Sequence, residues 1–136
     1  MALATLTVAV SGCADTTATG PTDYSPYQQI DLRLGSGTAA TTGSSVTVNY
    51  TGWLYDPNKG EQKGLMFDTS MGRGTFTFTL GEGSVIPGWD KGIVGMQIGG
   101  MRRLIVPPSL AYGQNRYSVI PPNATLLFEI ELIDVQ

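Results

Sequence analysis

The chain contains no histidine and a single cysteine, Cys13, in 136 residues. The first absence excludes imidazole bases, histidine-dependent catalytic triads and histidine metal sites. The second excludes an internal disulfide. Charge is also scarce: 14% of the residues are charged and the formal net charge is −3. The eight Lys and Arg residues are scattered, so there is no basic stripe to hold nucleic acid. No apolar run reaches the roughly 20 residues a membrane-spanning helix needs. Any chemistry must come from carboxylates, hydroxyls, backbone groups or an apolar pocket, with no cofactor and no metal.

The length suits one domain, and a hydrophobic content of 41% supplies a core. A domain of this size buries roughly two-thirds of its unfolded surface without needing staples. Nothing in the sequence demands more than a monomer.

The N-terminal region carries two readings. Met1 to Val10 is small and apolar, and Val10-Ser11-Gly12-Cys13 follows. This resembles a bacterial lipobox, in which the cysteine becomes the lipidated first residue of the mature chain. The plain alternative is a frayed N-terminus with a free thiol, since no Lys or Arg precedes a run that is short for a signal peptide. Ala14 to Pro26 is rich in Thr, Gly, Pro and Asp and reads as a polar tether. The expected organisation is a leader over residues 1–26 and a domain over residues 27–136. Lipidation at Cys13 would place the protein in the bacterial cell envelope or periplasm as a membrane-anchored lipoprotein, whereas its absence would leave the cytoplasm.

Within the domain, Ile30, Leu32 and Leu34 alternate with Asp31 and Arg33, a strand pattern. Ser45 to Tyr55 is the next strand, and Asp56 to Gly64, with Pro57 and two glycines, reads as a surface loop. Thr75 to Leu80 alternates again, with Phe76, Phe78 and Leu80 expected inward. Pro87 suits a first helical position, with Trp89, Ile93 and Met96 at helical spacing and Gly99-Gly100 as the stop. Arg102 to Val106 and Thr125 to Val135 complete about five strands. Glu129 and Glu131 read as a solvated strand face, and Arg102 and Arg103 as sheet-surface charges. Strands in hairpin order with one helix predict an α+β fold, an antiparallel sheet packed on that helix.

The aromatics Tyr50, Phe67, Phe76, Trp89, Tyr112 and Phe128 are either plain core or the lining of a pocket. Trp89 at the start of a short helix and Tyr112 in a loop between Ala111 and Gly113 favour a pocket.

Five segments in order resemble the FKBP family of peptidyl-prolyl cis/trans isomerases. They are Val48 to Leu54; Phe67-Asp68-Thr69-Ser70; Val85-Ile86-Pro87-Gly88-Trp89-Asp90; Leu104 to Pro108 with Ala111-Tyr112-Gly113; and Ile120 to Leu132. The resemblance implies a curved antiparallel sheet wrapped around one short helix, with a pocket between them. It implies Trp89 as pocket floor, Tyr50, Phe67, Phe76 and Phe128 as walls, and Val85 and Ile86 at the edge, the Ile86 N–H facing a substrate carbonyl. Asp68 and Tyr112 would be polar rim groups, Arg73 a partner of Asp68, Ala111 part of the flap loop, and Val119 and Ile120 a cap on one side. The implied catalytic set is Tyr50, Asp68, Trp89, Tyr112 and Phe128. Asp68 keeps a second reading, as a turn carboxylate holding Arg73 or Tyr50.

The chain departs from the family pattern in a longer 56–65 loop, a shorter 114–119 loop with Arg116 and Tyr117, and a compressed 72–74 turn. The implied activity is isomerisation of X-Pro bonds in protein folding, with proline-containing polypeptides as partners and rapamycin-type macrolides as pocket ligands. The alternative is a non-catalytic module of the same fold that holds proline segments as a chaperone.

Overall fold

The computed structural model describes residues 26–136. Cys13 and the rest of the 1–26 leader except Pro26 lie outside the described residues. Six strands and one helix follow in the order β1 (Gln28–Arg33), β2 (Ser45–Tyr55), β3 (Lys63–Thr69), β4 (Phe76–Thr79), α1 (Pro87–Gly92), β5 (Met101–Val106) and β6 (Leu126–Val135). Single 3₁₀ turns stand at Gly60–Gln62 and Pro108–Leu110. The strands form one curved, unclosed antiparallel sheet in the order β1-β5-β6-β2-β3, with β4 also paired to β2.

The sheet has six strands where the sequence predicts about five. The additional one is β3, which begins at Lys63 within the stretch read as a loop. Its consecutive Leu65-Met66-Phe67 shows no period-two alternation. The reason is its position: β3 lies at the sheet edge with Leu65 and Met66 more than half exposed, so no single buried face imposes a pattern. The converse holds at β1. Ile30 and Leu32 alternate as expected, yet they are 39% and 43% exposed on the opposite edge strand.

The helix is also shorter than its apolar spacing predicts. It stops at Gly92, and the chain then turns through Gly95 at φ 91°. Arg102 takes over the carbonyls the short helix leaves open. Its Nη1 donates to the Gly92 and Val94 oxygens at 2.7 and 3.1 Å, and its Nε donates to Asp31 at 2.7 Å. It is therefore a fastener between β5, β1 and the helix end rather than a free surface charge. Packing explains why a glycine sits inside so short a helix. A Cβ at Gly88 would lie 2.5 Å from Val106 Cγ1, so α1 can rest on β5 only without a side chain there.

The core fills the space between the helix and the inner sheet face. Val46, Val48, Leu80, Ile93, Leu104, Val106, Leu126, Ile130 and Leu132 are fully buried there. On the outer face Glu129 is not simply solvated. Arg103 donates to it at 2.7 Å, and Lys63 lies 3.2 Å away while standing 4.4 Å over the Trp53 ring. Glu61, from the long 56–62 connection, pairs with the same Lys63 at 2.9 Å. The connection is thereby held against the outside of the sheet, leaving the inner face for the site.

Candidate active site

Helix α1 opens with Ile86 extended and Pro87 in the first turn. The missing proline N–H costs nothing there, and the tight start delivers the Trp89 ring to the concave side of the sheet. Trp89 is 5% exposed. Rings surround it edge-on: Tyr50 at 5.0 Å, Phe128 at 5.3 Å and Phe76 at 6.3 Å between centroids. Its Nε1 is buried and has no hydrogen-bond partner among the described residues. A buried unpaired donor costs on the order of 1–3 kcal/mol, a local conflict of the kind found at functional sites.

Above this floor lies an open cleft of about 220 Å³. Tyr50, Phe67, Phe76 and Phe128 line it, as do Val85 and Ile86. Asp68 and Tyr112 are at its margin. Phe67 and Asp68 are consecutive in a strand, so their side chains should point to opposite faces. A register shift resolves this. Gly52 pairs with Asp68 while the next residue, Trp53, pairs with Met66, so Phe67 is the extra residue of a β-bulge. Bulges re-aim side chains beside active sites, and this one lets both neighbours face the cleft. Gly52 makes the second allowance. A Cβ there would stand 2.7 Å from Phe67 Cζ and 2.8 Å from Phe128 Cε1, so the edge-to-face Phe67–Phe128 pair, 5.6 Å between centroids, needs glycine below it.

The polar rim is a small network. The Tyr50 hydroxyl donates to Asp68 Oδ2 at 2.7 Å. Arg73 Nη2 donates to Asp68 Oδ1 at 2.6 Å, and the Thr69 N–H donates to the same oxygen at 2.9 Å. Both readings of Asp68 therefore meet in one place, since it holds Tyr50 and Arg73 and also borders the cleft. Burial, reinforced by the hydrogen bond and negative charge of Asp68, pushes the Tyr50 phenol up to about 12. Burial also raises Tyr112, with Tyr117 and Asp68 adding to the effect.

The segment before the helix is fastened from behind. The Gly81 and Gly83 N–H groups donate to the two oxygens of Asp90 at 2.8 and 3.0 Å. The Ile86 carbonyl accepts from the Trp89 N–H at 2.9 Å, while the Ile86 N–H makes no hydrogen bond to any described residue.

The 111–120 loop closes the far side. Tyr117 stacks on Tyr112 with centroids 4.4 Å apart and planes within 5°. A tight turn joins Tyr117 to Ile120 through paired backbone bonds of 3.1 and 2.8 Å, with Ser118 at φ 55°. Phe67, Asp68, Tyr112, Tyr117, Ser118 and Ile120 enclose a second recess of about 390 Å³ contiguous with the cleft. Ile120 is thus buried beside the site. The turn leaves its neighbour Val119 52% exposed, bordering neither recess. Ala111 packs against the core instead of lining the cleft. Arg73 does not line the cleft and reaches it through Asp68 at 2.6 Å and, at 3.4 Å, through the Tyr50 hydroxyl. Ser84, Tyr117 and Ser118 border the recesses and were not among the residues expected to. An aromatic five residues after Tyr112 in a glycine-led loop was the available signal for Tyr117.

Comparison with known proteins gives this geometry a family. A model described as FKBP-type peptidyl-prolyl cis-trans isomerase matches residues 23–133. The chain is 47% identical over 107 residues to an FK506-binding protein of Neisseria meningitidis serogroup A, covering 77% of this chain and 92% of that protein. It is 41% identical over 108 residues to FK506-binding protein 1 of Aspergillus oryzae, covering 76% and 93%. Against the crystal structure of AtFKBP13 the TM-score is 0.69 at 36% identity, over 83% of this chain and 97% of the other. An aromatic cleft between a short helix and a curved sheet, carried on a chain so matched, belongs to the FKBP-type peptidyl-prolyl cis-trans isomerase family, and the activity that follows is rotation about X-Pro peptide bonds.

Proposed function

We propose that the Trp89-floored cleft receives the proline ring and lowers the rotational barrier mainly by taking the planar amide out of water. That barrier is about 20 kcal/mol because twisting breaks amide resonance. The planar amide is charge-separated and the twisted one much less so, which makes an apolar site favour the twisted form. Withdrawing an unpaired amide from water costs roughly 2–7 kcal/mol. Any part of that cost borne only by the planar state lowers the barrier, about tenfold in rate per 1.4 kcal/mol.

The chain's own groups have distinct parts in this. Trp89, Phe67, Phe76 and Phe128 hold the ring and exclude water. The free Ile86 N–H is the donor for the substrate carbonyl on the helix side. The Tyr112 hydroxyl is the donor at the polar rim, while the Tyr50 hydroxyl, its one proton committed to Asp68, shapes the field there together with Asp68 and Arg73. Both favour the rotated carbonyl over the planar one, which is transition-state selectivity. The observation that carries the reading is the conjunction of a ring-lined floor with the Tyr50–Asp68–Arg73 rim around one cleft.

No proton is transferred in this scheme. Turnover in heavy water should match that in ordinary water, and kcat should stay flat between about pH 6 and 8. A solvent isotope effect of about two or more on kcat would contradict it and require a general acid.

The substrates proposed are proline-containing polypeptides. Relatives named for binding FK506 support the same proposal for macrolides of that kind, including the rapamycin type, in this cleft. The Val10–Cys13 run supports envelope placement through a lipid on Cys13. A Cys13→Ser chain expressed in a bacterium should then leave the membrane fraction, and if it partitions like the unaltered chain the anchor proposal is wrong.

A further inference from the structure

The sheet edge beside the cleft carries an apolar surface that proline binding does not use. Leu65, Met66 and Met71 are 58%, 51% and 68% exposed, on or just after β3, the last strand on its side of the sheet. Proteins usually blunt such edges with charge or proline, because exposed apolar edges attract other chains. From Leu65 to Met71 the only charged residue is Asp68, and its carboxylate is already engaged by Arg73 and Tyr50. Met66 and Met71 border a shallow groove of about 320 Å³ together with Phe67, Asp68 and Arg73. Phe67 and Asp68 also line the cleft, so groove and cleft share a wall.

We propose that this groove holds apolar residues flanking the proline of an extended, unfolded polypeptide, so that the protein grips non-native chains over several residues. The proposal rests on the isomerase activity of the adjoining cleft. Continuity selects the occupant, because a chain that leaves the cleft across Phe67 and Asp68 enters the groove directly. Methionine suits such a surface, because its unbranched, polarisable side chain repacks around differing apolar partners.

The test uses the full chain and two fluorescein-labelled twelve-residue peptides with the same central Leu-Pro. One is flanked by Leu and Phe on both sides, the other by Ser and Gly. Anisotropy should show the apolar-flanked peptide binding about tenfold tighter, as expected for one well-buried apolar contact, and its kcat/KM should be raised in proportion. The M66S/M71S double variant should erase that preference. Both side chains are exposed, so the melting temperature reports whether the fold is intact, and M66K/M71K serves as a second variant with the same expected loss. An equal preference in the unaltered protein and both variants would overturn the proposal. So would a dimer in sedimentation velocity that M66S/M71S dissociates, since the groove would then belong to a second copy. A protein that accelerates neither peptide would contradict the isomerase reading, while the binding difference would still decide the groove.

Discussion

The phenol of Tyr50 donates a 2.7 Å hydrogen bond to Asp68, and this single contact joins the central strand β2 to the bulged edge strand β3 at the mouth of the cleft. It commits the one phenolic proton to the carboxylate and holds both groups at the margin of the cleft. It also ties the ionisation of the phenol to the carboxylate beside it.

Removing the carboxylate should therefore lower catalysis while leaving the chain folded. Asp68→Val leaves Tyr50 and Arg73 without their shared acceptor, and a hydrogen bond to a charged group is worth about 1.5–3 kcal/mol. We expect kcat/KM for a Leu-Pro peptide to fall about tenfold. Stability should fall by about the value of the Tyr50 bond, the exposed Arg73–Asp68 pair adding only about 0–1 kcal/mol, and the chain should remain folded. Peptide kinetics and a urea titration on the same preparation check both halves, and unchanged turnover would remove Asp68 from the rim.

Alkaline titration gives an independent measure of the same contact. Tyr50 is neutral below its pKa, and folding raises that value from 10.0 to about 12. The folded protein thus holds the proton more firmly than the unfolded chain does. The stabilisation is complete below pH 10 and disappears as pH rises through about 12, so stability should decline across that window. Tyr50→Phe should lessen the decline, with Tyr27 and Tyr112, which burial also raises, contributing to what remains. In Asp68→Val the Tyr50 ionisation, followed by ultraviolet difference spectra, should move down but stay above the ordinary value, because burial is the larger cause.

Gly52 leaves no room for a side chain between two walls of the cleft. A methyl group there would press on Phe67 and Phe128 together, and overpacking of this kind costs about 1–3 kcal/mol. Gly52→Ala should lower the melting temperature and also displace the Phe67 wall, raising KM. A variant of unaltered stability and KM would show that the two rings can part without consequence.

Tyr117 stands at the rim, outside the floor, and its part should be in binding. Tyr117→Ala removes the ring stacked on Tyr112 and opens the cleft into the second recess. We expect KM to rise about three- to tenfold with kcat nearly constant, the pattern of a contact made equally in ground and transition states. A fall in kcat alone would instead make the stack a positioning device for Tyr112.

Much of this was legible in the sequence because it is written in side-chain pattern. The alternation in β2 and β6, Pro87 before Trp89, and the ordered aromatic motifs pointed to the sheet, the helix start and the cleft lining. The less legible features depend on register and three-dimensional proximity. The bulge that turns both Phe67 and Asp68 inward is a pairing offset between two strands, with no sign in the composition of either. Edge strand β3 lacks a buried face, so its residues carry no period, and Ile30 and Leu32 in β1 carry a period without burial. The early end of α1 at Gly92 was hidden because Ile93 and Met96 keep helical spacing while packing from a turn. Val119 and Ile120 are adjacent and equally apolar, and only the turn at Ser118 decides that one is buried and the other exposed.

The most direct test of the central claim is the cis-to-trans isomerisation of a short Leu-Pro peptide by the chain, with and without a rapamycin-type macrolide. The account predicts acceleration that the macrolide abolishes in the unaltered protein and that Trp89→Leu largely loses. Acceleration that persists when the macrolide is bound would place the chemistry outside the cleft. No acceleration from a folded, macrolide-binding protein would contradict catalysis and leave a module that only holds proline segments.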